Sequence, residues 1–122
     1  MRKSPLTQLT KICLALPEAE RKLMGDHASF LIRKKVFAYF LNDHHGDGIV
    51  SLCAKVGPGD NQALVRAQPG RFYLPAYIGP RGWVGLRLDC GEIDWEEVRE
   101  LLTDSYRRTA PKKLAAAVLA ER

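Results

Sequence analysis

Hydrophobic residues in this chain change their spacing twice, and that change limits the folds open to it. After Ser4 and Pro5, a favourable N-cap and first helical residue, they recur every three to four residues as far as Leu16. Between residues 29 and 88 they form short runs of branched and aromatic side chains, which are typical of strands. From Asp94 onwards the helical spacing returns. This order predicts a helix, an antiparallel meander and a closing helical segment.

Turn-forming segments divide the central region into separate strands. Strong turn signals occur at residues 42–48 and 57–59. The predicted strands cover residues 29–33, 36–41, 49–56, 72–77 and 83–88, and a short helix covers residues 60–67. Strands joined by short turns pair antiparallel, and the terminal helices then cover one face of the sheet. We therefore predict an α+β two-layer sandwich with about five to six strands.

Two helix starts are marked near the end of the chain. Asp94 is a predicted N-cap, and Glu97 three residues later completes the sequence pattern of a capping box. Pro111 is expected to begin a final helix over about residues 111–122, in a region where an alanine run favours helix. The apolar face of that final helix would consist of Leu114, Val118 and Leu119.

The composition is that of an ordinary globular domain, predicted to span residues 1–122. Hydrophobic residues make up 46% of the chain and charged residues 27%. No apolar run reaches the roughly 18 residues of a membrane span, and no signal-peptide core follows the N-terminus. We therefore expect a cytoplasmic protein with no membrane partner, and we favour a monomer. Cys13, Cys53 and Cys90 are widely spaced among apolar neighbours, so reduced thiols are expected.

The formal net charge of +5 hides an uneven distribution. Residues 89–104 carry seven acidic side chains and one basic one, and the rest of the chain has a net charge of +11. The acidic block coincides with the predicted start of a helix, where negative charge meets the positive end of the helix dipole. An anion-binding face is possible only if the two signs separate in the folded protein.

No pattern in the sequence marks a catalytic centre. There is no G-x-S-x-G motif and no Cys–His spacing of a nucleophilic pair. The segment 57–59 (GPG) lacks the G-K-[ST] ending of a phosphate-binding loop. His44 and His45 lie in a flexible turn that would arrange metal ligands poorly. We predict a protein that is not an enzyme and that holds no cofactor and no metal.

A basic turn is the most informative candidate site. Arg33, Lys34 and Lys35 lie between two predicted strands, at the tip of a β-hairpin. Such a tip projects positive charge into solvent and can contact DNA phosphates, as the wing of a winged DNA-binding protein does. A second loop carries Arg81 and is followed by Trp83. The alternative is an ordinary charged turn, since lysine is also common at exposed sheet edges.

An aromatic segment indicates a second kind of site. Residues 72–77 contain three aromatic side chains, the last of which is Tyr77, and Trp83 follows the next loop. Tyr77 and Trp83 would line a groove beside the sheet face. On this hypothesis the protein is a protein-interaction or small-ligand-binding module. Packing of the same aromatic side chains in the core is the competing interpretation.

An ordered set of short motifs resembles the MmcQ/YjbR family. The motifs are LALPEA (14–19) at the end of the first helix, KVFA (35–38), PAY (75–77), GWV (82–84) and APKKL (110–114). The resemblance covers nearly the whole chain and implies a sandwich similar to the frataxin (CyaY) fold. The family is described as double-wing DNA-binding proteins. The resemblance therefore implies that Arg33, Lys34 and Lys35 lie on one wing and Arg81 on the other, with double-stranded DNA as the partner.

Overall fold

The computed structural model describes residues 4–43, 46 and 48–118. These residues contain four α-helices, six strands and one short 3-10 helix. In chain order they are α1 (Pro5–Leu14), β1 (Glu20–Met24), β2 (His27–Ile32), β3 (Lys35–Asn42), β4 (Val50–Lys55), α2 (Asp60–Ala67), β5 (Phe72–Tyr73), the 3-10 helix (Gly79–Arg81), β6 (Trp83–Arg87), α3 (Trp95–Thr109) and α4 (Lys112–Ala116).

The strands form one open antiparallel sheet in the order β1-β2-β3-β4-β6-β5. Successive strands pair in sequence order as far as β4, and β6 then pairs with both β4 and β5. Helix α3 packs on β3 and β4, and α1 packs on α3 and β1. The predicted α+β class is confirmed, and the arrangement is that of a two-layer sandwich.

Caps and a proline define the ends of the long helices. Ser4 accepts a hydrogen bond from the Thr7 amide at 3.1 Å, and α1 ends before Pro17, which disfavours helix at the residue before it. Asp94 accepts from the amides of Glu96 and Glu97 at 3.1 and 3.2 Å. Both predicted N-caps are confirmed, because each side chain bonds amides that the first helical turn leaves without partners.

The core lies between the sheet and the helices α1 and α3. Alternate residues of the strands point towards the helices, and the apolar stripes of the two helices pack against them. The side chains that are fully excluded from solvent include Leu9, Cys13, Phe30, Ile32, Phe37, Leu52, Val84, Val98, Leu102 and Tyr106.

An irregularity in the β2–β3 ladder changes which way β3 faces. Phe30 pairs with Ala38, but the next residue, Leu31, pairs with Val36. Phe37 is therefore the extra residue of a bulge, and both Phe37 and Ala38 are buried. The Phe37 ring meets the ring of Tyr106 on α3 edge to face, with centroids 5.4 Å apart. The bulge thus aims one additional aromatic ring into the core.

Several elements differ from the sequence prediction. Strand β1 is not predicted by the sequence, because all five of its residues are exposed and show no hydrophobic alternation. The strand predicted for residues 72–77 ends at Tyr73. Helix α2 covers the predicted residues 60–67, but Gly59 occupies its N-cap position and Asp60, which the sequence favours as the cap, is its first helical residue. The final helix covers Lys112–Ala116, and residues 119–122 of the predicted helix, Leu119 among them, lie outside the described residues.

Candidate nucleic-acid interface

The hairpin of β2 and β3 closes through a two-residue turn made by Arg33 and Lys34. Their φ values are 51° and 69°, and positive φ at both central residues is what a type I′ turn requires. Ile32 and Lys35 pair across the turn. The side chains of Lys34 and Lys35 are exposed. The hairpin tip expected from the sequence is therefore present, and it presents two lysines to solvent.

The side chain of Arg33 is held by a carboxylate. Its Nε and Nη2 donate to Glu18 Oε1 and Oε2 at 2.8 and 3.1 Å, in the bidentate geometry that arginine favours. The hydrogen bond from Arg33 lowers the pKa of Glu18, which favours the ionised carboxylate. Glu18 therefore offsets the charge of Arg33 on the hairpin tip. Fifteen residues separate the two side chains, and no local sequence pattern marks such a pair.

The second loop, which carries Arg81, is longer than a tight turn and is folded. Because β5 ends at Tyr73, the connection to β6 is longer than a hairpin turn and contains the 3-10 helix. Pro75 has no amide hydrogen for a strand ladder, and Tyr77 has a φ of 68°, outside the β region. The Gly79 amide donates to the Pro75 carbonyl at 2.9 Å and folds the loop back on itself. Arg81 therefore lies in a long, folded connection between the antiparallel strands β5 and β6.

Asn61 anchors this loop to helix α2. The residue is only 6% exposed. Its Nδ2 donates to the carbonyls of Gly79 and Trp83 at 2.9 and 3.1 Å, and its Oδ1 accepts from the Gln62 amide at 2.8 Å. A buried amide with all these partners rigidifies its surroundings. It holds in place the loop that carries Arg81, a role that the sequence does not indicate.

A cleft of about 650 Å³ separates this loop from the loop that precedes α2. Lys55, Arg81 and Arg108 contribute its cationic lining. Arg108 comes from the last turn of α3, where its Nε donates to Asp104 at 2.8 Å. Three segments that are remote in sequence therefore place cationic side chains at one cleft, where Asp104 offsets the charge of Arg108.

The strand register places the hairpin tip and the cleft at the same end of the sheet. β3 begins at Lys35, β4 ends at Lys55, and Lys55 pairs with the first residue of β6, Trp83. Helix α3 ends there too, because Ser105 bonds the backbone of Phe37 and Lys55. We call this end the basic end and define it by Lys34, Lys35, Lys55, Arg81 and Arg108.

Most of the acidic block lies at the opposite end. Asp89 follows β6 and accepts from the amide of Val50, the first residue of β4, at 3.2 Å. The hydrogen bond from Arg87 lowers the pKa of Asp89. Asp94 caps the start of α3, and fourteen helical rises of about 1.5 Å place that start roughly 20 Å from Arg108. Most of the acidic block is therefore remote from the basic end, where Glu18 pairs with Arg33 and Asp104 pairs with Arg108.

Tyr77 and Trp83 have opposite environments. Trp83 is 8% exposed, and its ring packs against Tyr39 with centroids 5.4 Å apart. Tyr77 is 83% exposed. The expectation that both side chains line one groove is not met, because Trp83 is buried against the ring of Tyr39. For the same reason the Trp83 ring is not part of the exposed basic surface.

The face of the sheet away from α1 and α3 carries an aromatic layer. The ring of Tyr73 lies directly over Gly85, where a β-carbon would approach ring atoms to 2.3 Å. Its hydroxyl bonds Ser51 Oγ at 2.7 Å and lies 3.9 Å from Cys53 Sγ. Ser51 and Cys53 are completely buried beneath this layer. The absence of a β-carbon at Gly85 is what allows the ring to cover the sheet so closely.

Two of the three cysteines are buried and the third is exposed. Cys13 and Cys53 are excluded from solvent, and Cys90 is at the surface. Burial raises the pKa of the Cys13 thiol far above its usual value, so this group is a weak nucleophile. Among the described residues, no three His, Cys, Asp or Glu side chains are grouped as metal ligands would be. His44 and His45 lie outside those residues.

Helices long and apolar enough to cross a bilayer do not occur in the described parts of the chain.

The fold and the charge distribution define a small α+β protein with an open antiparallel sheet and one positively charged end. The chain belongs to the YjbR family, whose model matches residues 14–108. The resemblance inferred from the short sequence motifs is thereby confirmed. The chain matches no curated protein sequence.

Solved structures that share this fold include two crystal structures of bacterial proteins. One is the crystal structure of the Deinococcus radiodurans protein DR2400, with a DUF419 domain, at 26% sequence identity and a TM-score of 0.67. The match covers 84% of this chain and 76% of the chain of that protein. The other is the crystal structure of a Pseudomonas syringae protein, at 14% sequence identity and a TM-score of 0.68. The match covers 88% of this chain and 99% of the chain of that protein. The second likeness concerns the fold alone.

Proposed function

We propose that this protein is a non-enzymatic DNA-binding protein that contacts the phosphate backbone of a duplex with its basic end. One observation carries the proposal: the β2–β3 turn and the loop before β6 lie at the same end of the sheet, away from most of the acidic block. The proposal includes the cytoplasmic location and the monomeric state that the sequence leads us to expect.

The chemistry of the basic end suits backbone contacts rather than base recognition. Lys34 and Lys35 are point charges on flexible stems, which bind phosphates without a fixed hydrogen-bond geometry. Arg81 adds a planar guanidinium at the edge of the cleft. Contacts of this type release counterions, give sequence-independent affinity and weaken steeply with salt. We therefore expect weak sequence preference and a strong dependence of the dissociation constant on ionic strength.

Removing the cations of the basic end should weaken DNA binding. We expect the triple variant Lys34→Ala, Lys35→Ala and Arg81→Ala to bind a labelled duplex about tenfold more weakly at low salt. Its plot of log affinity against log salt should be shallower by about one for each phosphate that the variant no longer binds. Fluorescence anisotropy across a salt series measures both quantities.

A matched control removes three exposed cations elsewhere. The variant Lys11→Ala, Lys22→Ala and Arg66→Ala has the same net charge, with substitutions on α1, β1 and α2. It should keep most of the affinity and the salt slope. Equal losses in the two triple variants would show that net charge alone drives binding, and an unchanged slope in the first would overturn the proposed interface.

Releasing Arg33 from its carboxylate should strengthen binding. In Glu18→Gln the bidentate ion pair is broken, and the Arg33 guanidinium becomes available to a phosphate beside Lys34. We expect the salt slope to steepen by about one and the affinity to rise about threefold. Thermal unfolding should change little, since exposed ion pairs contribute little to stability. Glu100→Gln, an exposed position on α3, makes the same charge change, and an equal gain there would contradict a role for Arg33.

A further inference from the structure

Tyr77 is the most exposed large hydrophobic side chain in the described residues. It is 83% exposed, and its backbone has a φ of 68°. This left-handed conformation is sterically unfavourable for a bulky side chain, and residues held in it cluster at turns and at functional sites. An aromatic ring in water and a strained backbone are two unfavourable features at one residue. Neither contributes to the packing of the core.

The loop that carries Tyr77 is firmly held. The Ile78 amide donates to the Ala76 carbonyl at 2.8 Å, and the Gly79 amide donates to the Pro75 carbonyl at 2.9 Å. Asn61 then fixes the Gly79 carbonyl to helix α2 at 2.9 Å. The exposure of the ring is therefore a property of an ordered loop. A ring presented in this way loses little conformational entropy when a partner covers it.

The loop that carries the ring also carries a cation, and this combination favours an anionic partner with a flat face. Arg81 follows Tyr77 on the same loop and lines the cationic cleft of the basic end. Aromatic rings beside cations are the elements with which proteins bind single-stranded nucleic acid, because bases stack on the ring while phosphates contact the charges. Leu74 is the only other exposed large hydrophobic residue in this part of the described loop, so the loop offers a partner protein little apolar area.

We propose that Tyr77 stacks on a single-stranded base while Arg81 contacts an adjoining phosphate. The basic end would then prefer DNA with unstacked bases, such as an overhang at a duplex terminus, over a continuous duplex. This inference rests on the proposed DNA binding and specifies the form of DNA that is bound. Phosphate contacts alone give no such preference, because a continuous duplex offers the same charges.

The test compares two labelled duplexes of equal length, one blunt and one with a single-stranded overhang. Wild-type protein should bind the overhang duplex about tenfold more tightly, a difference within the range measured for base–aromatic stacking. Tyr77→Ala should lose this preference and keep its affinity for the blunt duplex. Tyr77→Phe should retain the preference because the ring remains. Tyr77→Gly should behave like Tyr77→Ala and should unfold at no lower temperature than wild type, since glycine adopts positive φ freely.

The control is Leu74→Ala, which removes an exposed apolar side chain from the same loop and should leave the preference intact. A preference that survives in Tyr77→Ala, or that disappears equally in Leu74→Ala, overturns the stacking role while the proposed backbone contacts stand. Failure of the wild type to bind either duplex overturns the proposed function and this inference together.

Discussion

Replacing Phe37 with alanine is expected to lower the free energy of unfolding by about 3–5 kcal/mol, the range typical of a large aromatic residue removed from a core. Phe37 is completely buried and is the extra residue of the bulge in β3. The substitution leaves a cavity between the sheet and α3 and removes the edge-to-face contact with Tyr106. The bulge also loses the packing that stabilises its irregular backbone. Urea unfolding followed by circular dichroism measures the change.

Two neighbouring substitutions test this explanation. Val36→Ala changes the adjacent, half-buried residue and should lower the unfolding free energy by only about 1 kcal/mol. Tyr106→Phe keeps the ring contact with Phe37 but removes the hydrogen bond that the hydroxyl donates to the Pro17 carbonyl at 2.7 Å. It should therefore lower stability by about 1 kcal/mol. If Phe37→Ala were no more destabilising than Val36→Ala, the ring would not be a main contact of the core.

Ser105→Ala should be the second most destabilising of these substitutions, at about 2–4 kcal/mol. Ser105 is completely buried. Its hydroxyl donates to the Phe37 carbonyl at 2.5 Å and accepts from the Lys55 amide at 2.9 Å. Alanine leaves both buried backbone groups without a partner, and its higher helix propensity offsets only about 0.5 kcal/mol of the loss. Thermal and urea unfolding measure the effect.

Ser51→Ala is the matched control for Ser105→Ala. Ser51 is equally buried, but its hydroxyl bonds another side chain, the Tyr73 hydroxyl, at 2.7 Å. No backbone group is orphaned by that substitution, so a loss of about 1 kcal/mol is expected. Equal losses of unfolding free energy at the two serines would mean that the hydrogen bonds from Ser105 to the backbone of β3 and β4 contribute no more to stability than a bond between two side chains. Because Phe37 and Ser105 are in contact, their combined substitution should not be additive.

Elements with local signals can be predicted from the sequence. The caps Ser4 and Asp94 and the short helix α2 lie where the sequence places them, because each depends on residues only a few positions apart. Strand β1 is not predicted because its five residues are all exposed and show no hydrophobic alternation. Its backbone is held in the sheet by pairing with β2. The strand at residues 72–77 is predicted too long. Its aromatic residues favour a strand, but Pro75 has no amide hydrogen with which to continue the ladder.

The candidate site is predictable only in part. A turn carrying Arg33, Lys34 and Lys35 follows from the strands on either side of it. The pairing of Arg33 with Glu18 does not, because it depends on how α1 connects to β1. The burial of Trp83 and the anchoring of the Arg81 loop by Asn61 also require the folded chain. These contacts join segments that no sequence pattern relates.

The sequence by itself determined the α+β class, the capped helices, the basic hairpin turn and the uneven charge along the chain, because hydrophobic period, capping and turn chemistry act over a few residues. Only the tertiary structure decided where the charges lie. Placing β6 between β4 and β5 brings the Arg81 loop to the end of the sheet that holds Lys34 and Lys35. The β6–α3 connection and the first turn of α3 hold most of the acidic block at the other end. Strand order and helix direction are set by burial of the whole core, which no local segment specifies.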